Sequence, residues 1–338
     1  TPTPSSAASD VYKRQDWRKW KVLNIEDDRE TDDLIEWSKF SYAVWESDSS
    51  GFYYQKYSQP DEELSDINRS PQLFFHKLGQ SQLEDQLIYE DQQNPDFSWS
   101  INVPEKGDYR VLSIGEGTDE RNFLYISLDR SLNFIPLIDK FEASYRFLGG
   151  NAETLWFFSN LDAPNGKILS LNIADKKFQW KELIGEKTFP ISGASIAGDK
   201  LIINYLKDTI SQVEFYNLQG KFIKELPYEN IGTLSGFNGR FDSNKTYFEF
   251  SNFTSPQRIY ELDLKSLEYS LYWETTIKNL NINDYVSKLD FYQSKDGTKI
   301  PIHIAHTKDL EINKDTPVLL YGYGAVSYTH LTLPTMEL

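Results

Sequence analysis

The sequence predicts an all-β fold made of repeated sheets. From Asp16 to about Thr276, short runs rich in β-branched and aromatic residues alternate with turn signals, and helical periodicity is nearly absent. Residues 31–37 alone have a pattern that could form a turn of helix. A strand motif that alternates apolar and polar residues also recurs along the chain, which is typical of repeat architectures.

The recurring motif closes on an aliphatic residue before a polar turn, and another strand precedes most copies. The intervals between the closing residues are 53, 50, 45, 45 and 46 residues, for copies that end at Ile25, Leu78, Leu128, Ile173, Leu218 and Leu264. One four-stranded sheet cannot bury both of its faces, but sheets stacked around an axis can. We therefore predict a β-propeller with about five full blades between residues 37 and 276, preceded by the last strand of an earlier blade. An array of two-sheet sandwiches is the alternative.

The repeat breaks at residues 277–288, and a second pattern follows. Residues 289–293 and 299–305 predict a β-hairpin around Asp296-Gly297. Residues 316–324 form an apolar run, opened by a proline and closed by alternating Tyr and Gly, which predicts a buried parallel strand that feeds a tight turn. An ordinary core strand with a glycine turn is the alternative. We place the domain boundary near residue 278, between a first domain at 16–277 and a second at 278–325.

The two ends of the chain differ from the rest. Residues 1–15 and 326–338 resemble translated sequencing adapters, so we expect the native part to be an internal fragment and both ends to make few contacts. Natural disordered tails are the alternative.

Composition narrows the possible functions. A net charge of −16 argues against nucleic acid or an anionic membrane as a partner, and no apolar run is long enough to span a membrane. The absence of cysteine excludes disulfides and thiol catalysis. Among the four histidines, His303 and His306 lie three apart on a predicted strand and face opposite sides, so we expect no metal site and no cofactor.

Six stretches support a family resemblance through their order and spacing. They are Lys39-Phe40-Ser41 with Trp45, LDAPNG at 161–166, SGF at 235–237, FTSP at 253–256, SKDGTKIP at 294–301 and LYGYG at 320–324. Together they resemble the prolyl oligopeptidase family of serine peptidases. The resemblance covers residues 16–324, which is the middle of the family's chain.

The resemblance implies a seven-bladed propeller that caps an α/β-hydrolase domain, with the first blade and most of the second missing here. It implies hydrolysis of short peptides after proline, with the propeller gating access, by a protein that is usually monomeric. By this likeness Tyr323 donates to the oxyanion hole, and Phe40 lines the pocket for a substrate residue upstream of the proline. From the residues alone, an inward strand aromatic such as Phe40 is more often a core residue. The expected location is the cytoplasm, with the periplasm as the alternative.

The sequence departs from the family where catalysis would begin. Ala325 stands where the family has Gly-Phe, and no G-x-S-x-G nucleophile turn occurs. The nearest match, GASIAG at 193–198, is one residue too long, and His330 lies in the adapter-like tail. All three triad residues would follow residue 324, so we predict an inactive polypeptide. The acidic run at 26–33 is interpreted as a solvated loop.

Two other functions remain open at this point. Oligopeptidase B, which cuts after basic residues, shares the Tyr-Gly-Tyr-Gly strand, although LDAPNG and FTSP fit it less well. A non-enzymatic propeller that serves as a binding scaffold is the other, and the hairpin and strand after residue 288 argue against it.

Overall fold

The structure is a computed structural model that describes residues 6–10, 17–59, 69–174, 178–228 and 230–322, with the backbone alone at residues 6–10. The chain divides into two compact units, Thr1–Thr276 and Ile277–Leu338. The regular structure of the described part is almost all β-strand, and its 3₁₀ turns at Gln82–Glu84 and Ile282–Asp284 are short. No helix in these ranges has the length and apolar character to cross a membrane.

The first unit contains five antiparallel sheets, which we number as blades in chain order. Three strands come first: β1 (Ser6–Asp10), β2 (Trp17–Asn24) and β3 (Arg29–Lys39). Blade 1 contains β4 (Val44–Trp45), β5 (Gly51–Lys56), β6 (Gln72–Lys77) and β7 (Gln86–Tyr89). Blade 2 contains β8 (Phe97–Asn102), β9 (Arg110–Glu116), β10 (Asn122–Ser127) and β11 (Ile135–Ile138).

The remaining blades repeat the same plan, with four strands paired in chain order. Blade 3 contains β12 (Tyr145–Gly150), β13 (Thr154–Ser159), β14 (Lys167–Asn172) and β15 (Gln179–Ile184). Blade 4 contains β16 (Ile191–Ala197), β17 (Lys200–Lys207), β18 (Ile210–Asn217) and β19 (Phe222–Glu225). Blade 5 contains β20 (Thr233–Gly236), β21 (Lys245–Asn252), β22 (Ser255–Asp263) and β23 (Tyr269–Glu274). The predicted all-β fold with five propeller blades is confirmed.

Apolar cores fill the spaces between successive sheets. Leu155 and Phe157 of β13 lie in the core shared with blade 2, whereas Trp156 between them lies in the core shared with blade 4. In β17, Ile203 faces blade 3 and Ile202 faces blade 5. Since adjacent residues of a strand point to opposite faces, a sheet covered on both faces needs apolar residues at consecutive positions. The central strands therefore read as continuous apolar runs, and the alternative of two-sheet sandwiches is wrong.

Buried amide side chains tie the first strands of two blades to the preceding blade. Gln55 of β5 accepts a hydrogen bond from the Trp99 backbone N–H on β8 at 2.9 Å. Asn122 of β10 accepts one from the Tyr145 backbone N–H on β12 at 2.7 Å and donates to the Tyr145 carbonyl at 3.1 Å. These strand edges have no paired strand, and a buried backbone group without a partner costs about as much as a lost hydrogen bond. Gln55 and Asn122 remove that cost.

Three expectations about the start of the chain are wrong. Residues 31–37 are not helical but lie in β3, where the alternate residues Asp33 and Ile35 are buried, as in a strand. The strand predicted at 20–25 belongs to the same sheet as blade 1, since β3 pairs with β5 through Ser38 and Lys56. The expected lack of contacts at residues 1–15 fails for Ser6–Asp10, which pairs with β2 along its whole length.

The second unit contains the predicted hairpin. Its strands β24 (Tyr285–Gln293) and β25 (Lys299–Thr307) pair antiparallel in continuous register around a turn in which Gly297 has a φ of +84°. The buried strand predicted from residue 316 is wrong as far as residue 322. Val318, Leu319 and Leu320 are 84%, 92% and 81% exposed, and no described strand pairs with them. A strand needs a neighbour to satisfy its backbone, and this part of the chain supplies none.

Candidate functional site

A cavity of about 620 Å³ runs along the first strands of blades 1–3. Its walls come from β8, β12 and the segment that leads into β4. Tyr42, Trp99 and Phe147 contribute apolar surface, while Ser98 and Ser100 contribute hydroxyls. Apolar walls with a few placed polar groups are typical of binding sites for small organic ligands.

Phe40 lies at this cavity and not in the core. Its side chain is 66% exposed, which excludes the interpretation as a core aromatic. Its φ of +50° is unusual for a residue with a bulky side chain. The neighbours on both sides hold this conformation, since the Gln55 backbone N–H donates to Ser41 Oγ at 2.8 Å and the Gln55 side chain donates to the Lys39 carbonyl at 3.4 Å.

The Lys39-Phe40-Ser41 turn is therefore a tightly fixed feature that presents an exposed ring. The Lys39 ammonium lies 5.2 Å from the centre of the Phe40 ring. Residues held in rare backbone conformations cluster at ligand sites, because the surroundings must over-determine them. The geometry is compatible with ligand contact by Phe40.

Tyr323, the predicted oxyanion-hole donor, lies outside the described residues, as does His330. The preceding Tyr321 is described and is 76% exposed. The structure thus brings Phe40 to a cavity and leaves the role of Tyr323 a prediction.

The serine closest to a nucleophile motif has a structural role. Ser195 lies within β16, and its hydroxyl donates to the Phe237 carbonyl of the segment after β20 at 2.8 Å. This bond links blades 4 and 5, as expected for a residue in a blade. His303 and His306 both lie on β25, in the second unit.

A buried acid–histidine–acid cluster was missed by the sequence analysis. His76 is fully buried; its Nε2 lies 2.9 Å from Asp33 Oδ1, and its Nδ1 lies 2.7 Å from Asp85 Oδ1. Both ring nitrogens face carboxylates, an arrangement that favours the doubly protonated imidazolium. Asp33 also accepts from the Gly79 backbone N–H at 2.6 Å, and Tyr54 donates to Asp85 at 2.7 Å.

The ionisation of this cluster follows from its contacts. Burial favours the neutral imidazole, but the hydrogen bonds and negative charges of Asp85 and Asp33 outweigh burial and raise the pKa of His76. Burial also acts against charge on Asp33, yet hydrogen bonds from Thr31, Gly79 and His76 lower the pKa of this carboxyl group. The acidic run at 26–33, interpreted as a solvated loop, is exposed except at its last residue, which is buried; only residues 26–28 form a turn, and residues 29–33 begin β3.

The two carboxylates lie on opposite sides of the ring and do not converge on a point. In the described ranges, no three His, Asp or Glu side chains are arranged to hold a metal ion. The cluster instead joins β3 to the turn after β6. Treating residues 31–37 as a strand would have placed Asp33 on the same buried face as Ile35 and revealed it.

A second buried ionic contact joins blades 1 and 2. Arg110, which is fully buried, donates to Glu46 through Nε at 2.9 Å and Nη2 at 2.7 Å, and Tyr53 donates to the same carboxylate at 2.6 Å. The remaining guanidinium nitrogen donates to the Tyr109 carbonyl at 2.7 Å. This charge pair is fully hydrogen-bonded, which a pair buried in a protein requires.

A comparison with known families now identifies the architecture. A profile described as "Prolyl oligopeptidase, N-terminal beta-propeller domain" matches residues 7–275. The chain belongs to the prolyl oligopeptidase family. The match to this family ends where the first unit ends, and it begins within the stretch 1–15.

Relatives within the prolyl oligopeptidase family support this assignment. The prolyl endopeptidase of Elizabethkingia meningoseptica is 31% identical over 91% of this chain and 44% of its own. A structure from a study of two prolyl endopeptidases is 27% identical, with a TM-score of 0.77 over 90% of this chain and 46% of its own. The chain thus spans less than half the length of these relatives.

Oligopeptidase B from Leishmania major gives a weaker comparison. Its structure matches with a TM-score of 0.75 at 15% identity, over 90% of this chain and 44% of its own. That likeness is one of fold alone, so it adds nothing to the alternative of cleavage after basic residues.

Proposed function

We propose that the chain is part of a prolyl oligopeptidase-like serine endopeptidase, which hydrolyses short peptides after proline. The observation that carries the proposal is the family match over residues 7–275, with 31% identity to a prolyl endopeptidase. On this proposal residues 278–325 begin the α/β-hydrolase domain. Location in the cytoplasm and a monomeric state remain predictions from the family resemblance.

The propeller's part in this function is to admit and select the substrate. A cavity of about 620 Å³ has room for a few peptide residues, whereas a folded domain cannot enter it. Its serine hydroxyls can bond an extended peptide backbone, and its aromatic walls can contact side chains. Phe40, exposed at this cavity, would contact a residue upstream of the proline.

The catalytic groups proposed for this enzyme lie at or beyond the end of the hairpin unit. Tyr323 would donate its phenolic hydrogen to the oxyanion, a contact worth roughly 3 kcal/mol in the transition state. The printed sequence has no G-x-S-x-G turn, so the serine, aspartate and histidine of a triad are not identified in it. We infer that these 338 residues by themselves do not hydrolyse peptides.

Covalent labelling and turnover test this inference. The purified chain is incubated with a serine-directed phosphonate and with a chromogenic Gly-Pro substrate, and the prolyl endopeptidase of Elizabethkingia meningoseptica serves as the positive control. We expect background turnover and no mass increase in the chain. Stoichiometric labelling would show that the nucleophile is present and would overturn the inference.

A further inference from the structure

A second cavity, of about 390 Å³, lies along the first strands of blades 4 and 5. Its walls carry small side chains, which leave the space open; they include Ser192, Gly193, Ala194 and Ser235. Among its lining residues, Arg146 alone carries a charge, and none is acidic. An exclusively cationic cavity is unexpected in a chain with a net charge of −16.

Arg146 belongs to β12 and lines both cavities. Its guanidinium carbon lies 4.7 Å from the centre of the Phe158 ring, on the neighbouring strand β13. Gly166 leaves room for that ring, since a Cβ at this position would lie 2.3 Å from it. The ring thus provides a fixed surface on which the planar cation stacks, as arginine does in recognition sites.

The hydrogen-bond donors of Arg146 are available. The side chain is solvent-exposed, and within the described ranges it forms no salt bridge, in contrast to the exposed Arg121 and Arg240, which pair with Asp119 and Asp242. Although the residue is exposed, neighbouring protein atoms partly desolvate the guanidinium and lower the pKa of Arg146. The ordinary pKa of an arginine is so far above neutrality that the side chain stays charged. A guanidinium with free donors matches a carboxylate in shape and charge.

We propose that this cavity binds the carboxylate of a peptide through Arg146. The choice of a peptide as the carrier rests on the proposed function; the preference for a carboxylate does not. The carboxylate is either the C-terminal group or an acidic side chain. The protein's overall negative charge repels anions, so a local cation is what makes such binding selective.

Calorimetric titration of the 338-residue chain with matched peptides tests the proposal. Acetylated Ala-Gly-Pro-Ala is used as the free acid and as the amide, which probes the C-terminal carboxylate. Amidated peptides with Glu or Gln in place of Gly probe the side-chain carboxylate. We expect at least one acidic peptide to bind about tenfold more tightly than its neutral twin, because a charge-assisted bidentate contact is worth roughly that much.

The substitution Arg146→Gln should remove this preference. Arg240→Gln, which also removes one positive charge but lies outside both cavities, should retain it. Unfolding midpoints of both variants confirm that they are folded. Equal binding of acidic and neutral peptides to the wild type, or an unchanged preference in Arg146→Gln, would overturn the Arg146 site and leave peptide binding intact.

Glutarate, a dicarboxylate without a peptide backbone, tests the carboxylate site independently of peptide binding. If glutarate binds the wild type and not Arg146→Gln while no peptide binds, the carboxylate site stands and the peptide function fails. If neither glutarate nor any acidic peptide binds, the proposed site is refuted.

Discussion

The blades and the segment after residue 276 contain similar apolar residues, but these residues are buried in the blades and exposed in the segment. In blades 3 and 4, consecutive apolar residues of a central strand are buried because a sheet packs against each face. From residue 277 to 322, no described residue is buried, and Leu319 is 92% exposed. An apolar run therefore predicts a buried strand only where neighbouring strands and sheets exist to cover it.

The largest effect is expected where two blades share a buried charge pair. Glu46→Ala would leave the fully buried Arg110 without its carboxylate, and removal of one partner from such a pair costs about 3–5 kcal/mol. Urea unfolding, followed by tryptophan fluorescence, measures the loss.

Asp119→Ala is the matched control, because it breaks an Arg–Asp pair that is exposed to solvent. It should leave the unfolding midpoint unchanged. Equal effects of the two substitutions would show that burial of the Glu46–Arg110 pair does not matter to the blades.

A pair of leucine substitutions compares the two regions directly. Leu155→Ala, in the core between blades 2 and 3, should lower the free energy of unfolding by about 2–5 kcal/mol, because it leaves a cavity. Leu319→Ala removes the same atoms from an exposed site and should change it by less than about 0.5 kcal/mol. A comparable loss at Leu319 would mean that this residue is covered in solution.

We expect the buried His76 to make a smaller, pH-dependent contribution to the free energy of unfolding. Its pKa is raised in the folded state, so its contribution to stability is complete below the unfolded pKa of about 6.5 and is lost as pH rises through the folded pKa. We expect the unfolding free energy of the wild type to fall as pH rises above about 6.5, the pKa of histidine in the unfolded chain.

His76→Gln should be less stable near pH 6 and should lack this fall, whereas His303→Gln on the hairpin should retain it. A fall of the same size in His76→Gln would assign the pH dependence to other groups. Asp33 acts in the opposite direction: its pKa is lowered, so its contribution is present above the unfolded pKa of about 3.9 and is lost as pH falls through the folded pKa.

The blades are well predicted from the sequence because a central strand covered on both faces has apolar residues at consecutive positions, and this pattern is visible within the strand itself. It predicts β3 poorly because Asp33 occupies an inward position that an apolar pattern does not recognise. Asp33 and His76 are 43 residues apart, and Glu46 and Arg110 are 64 apart, so neither contact has a local pattern. The cavity of about 620 Å³ has no local sequence pattern either, since its lining residues Phe40, Trp99 and Arg146 come from three different blades or their connections.

Whether this propeller can serve a proline-specific peptidase is tested by a chimera. Residues 7–275 replace the matching part of the propeller of the Elizabethkingia meningoseptica prolyl endopeptidase, and hydrolysis of a chromogenic Gly-Pro substrate is measured. We expect activity, and we expect Phe40→Ala to raise KM about tenfold with little change in kcat, as for the loss of an apolar substrate contact. Phe253→Ala, at a ring of similar exposure outside the cavity, should leave both constants unchanged. A folded chimera without activity on this substrate would contradict the proposed function, and equal KM values for the two variants would contradict substrate contact by Phe40.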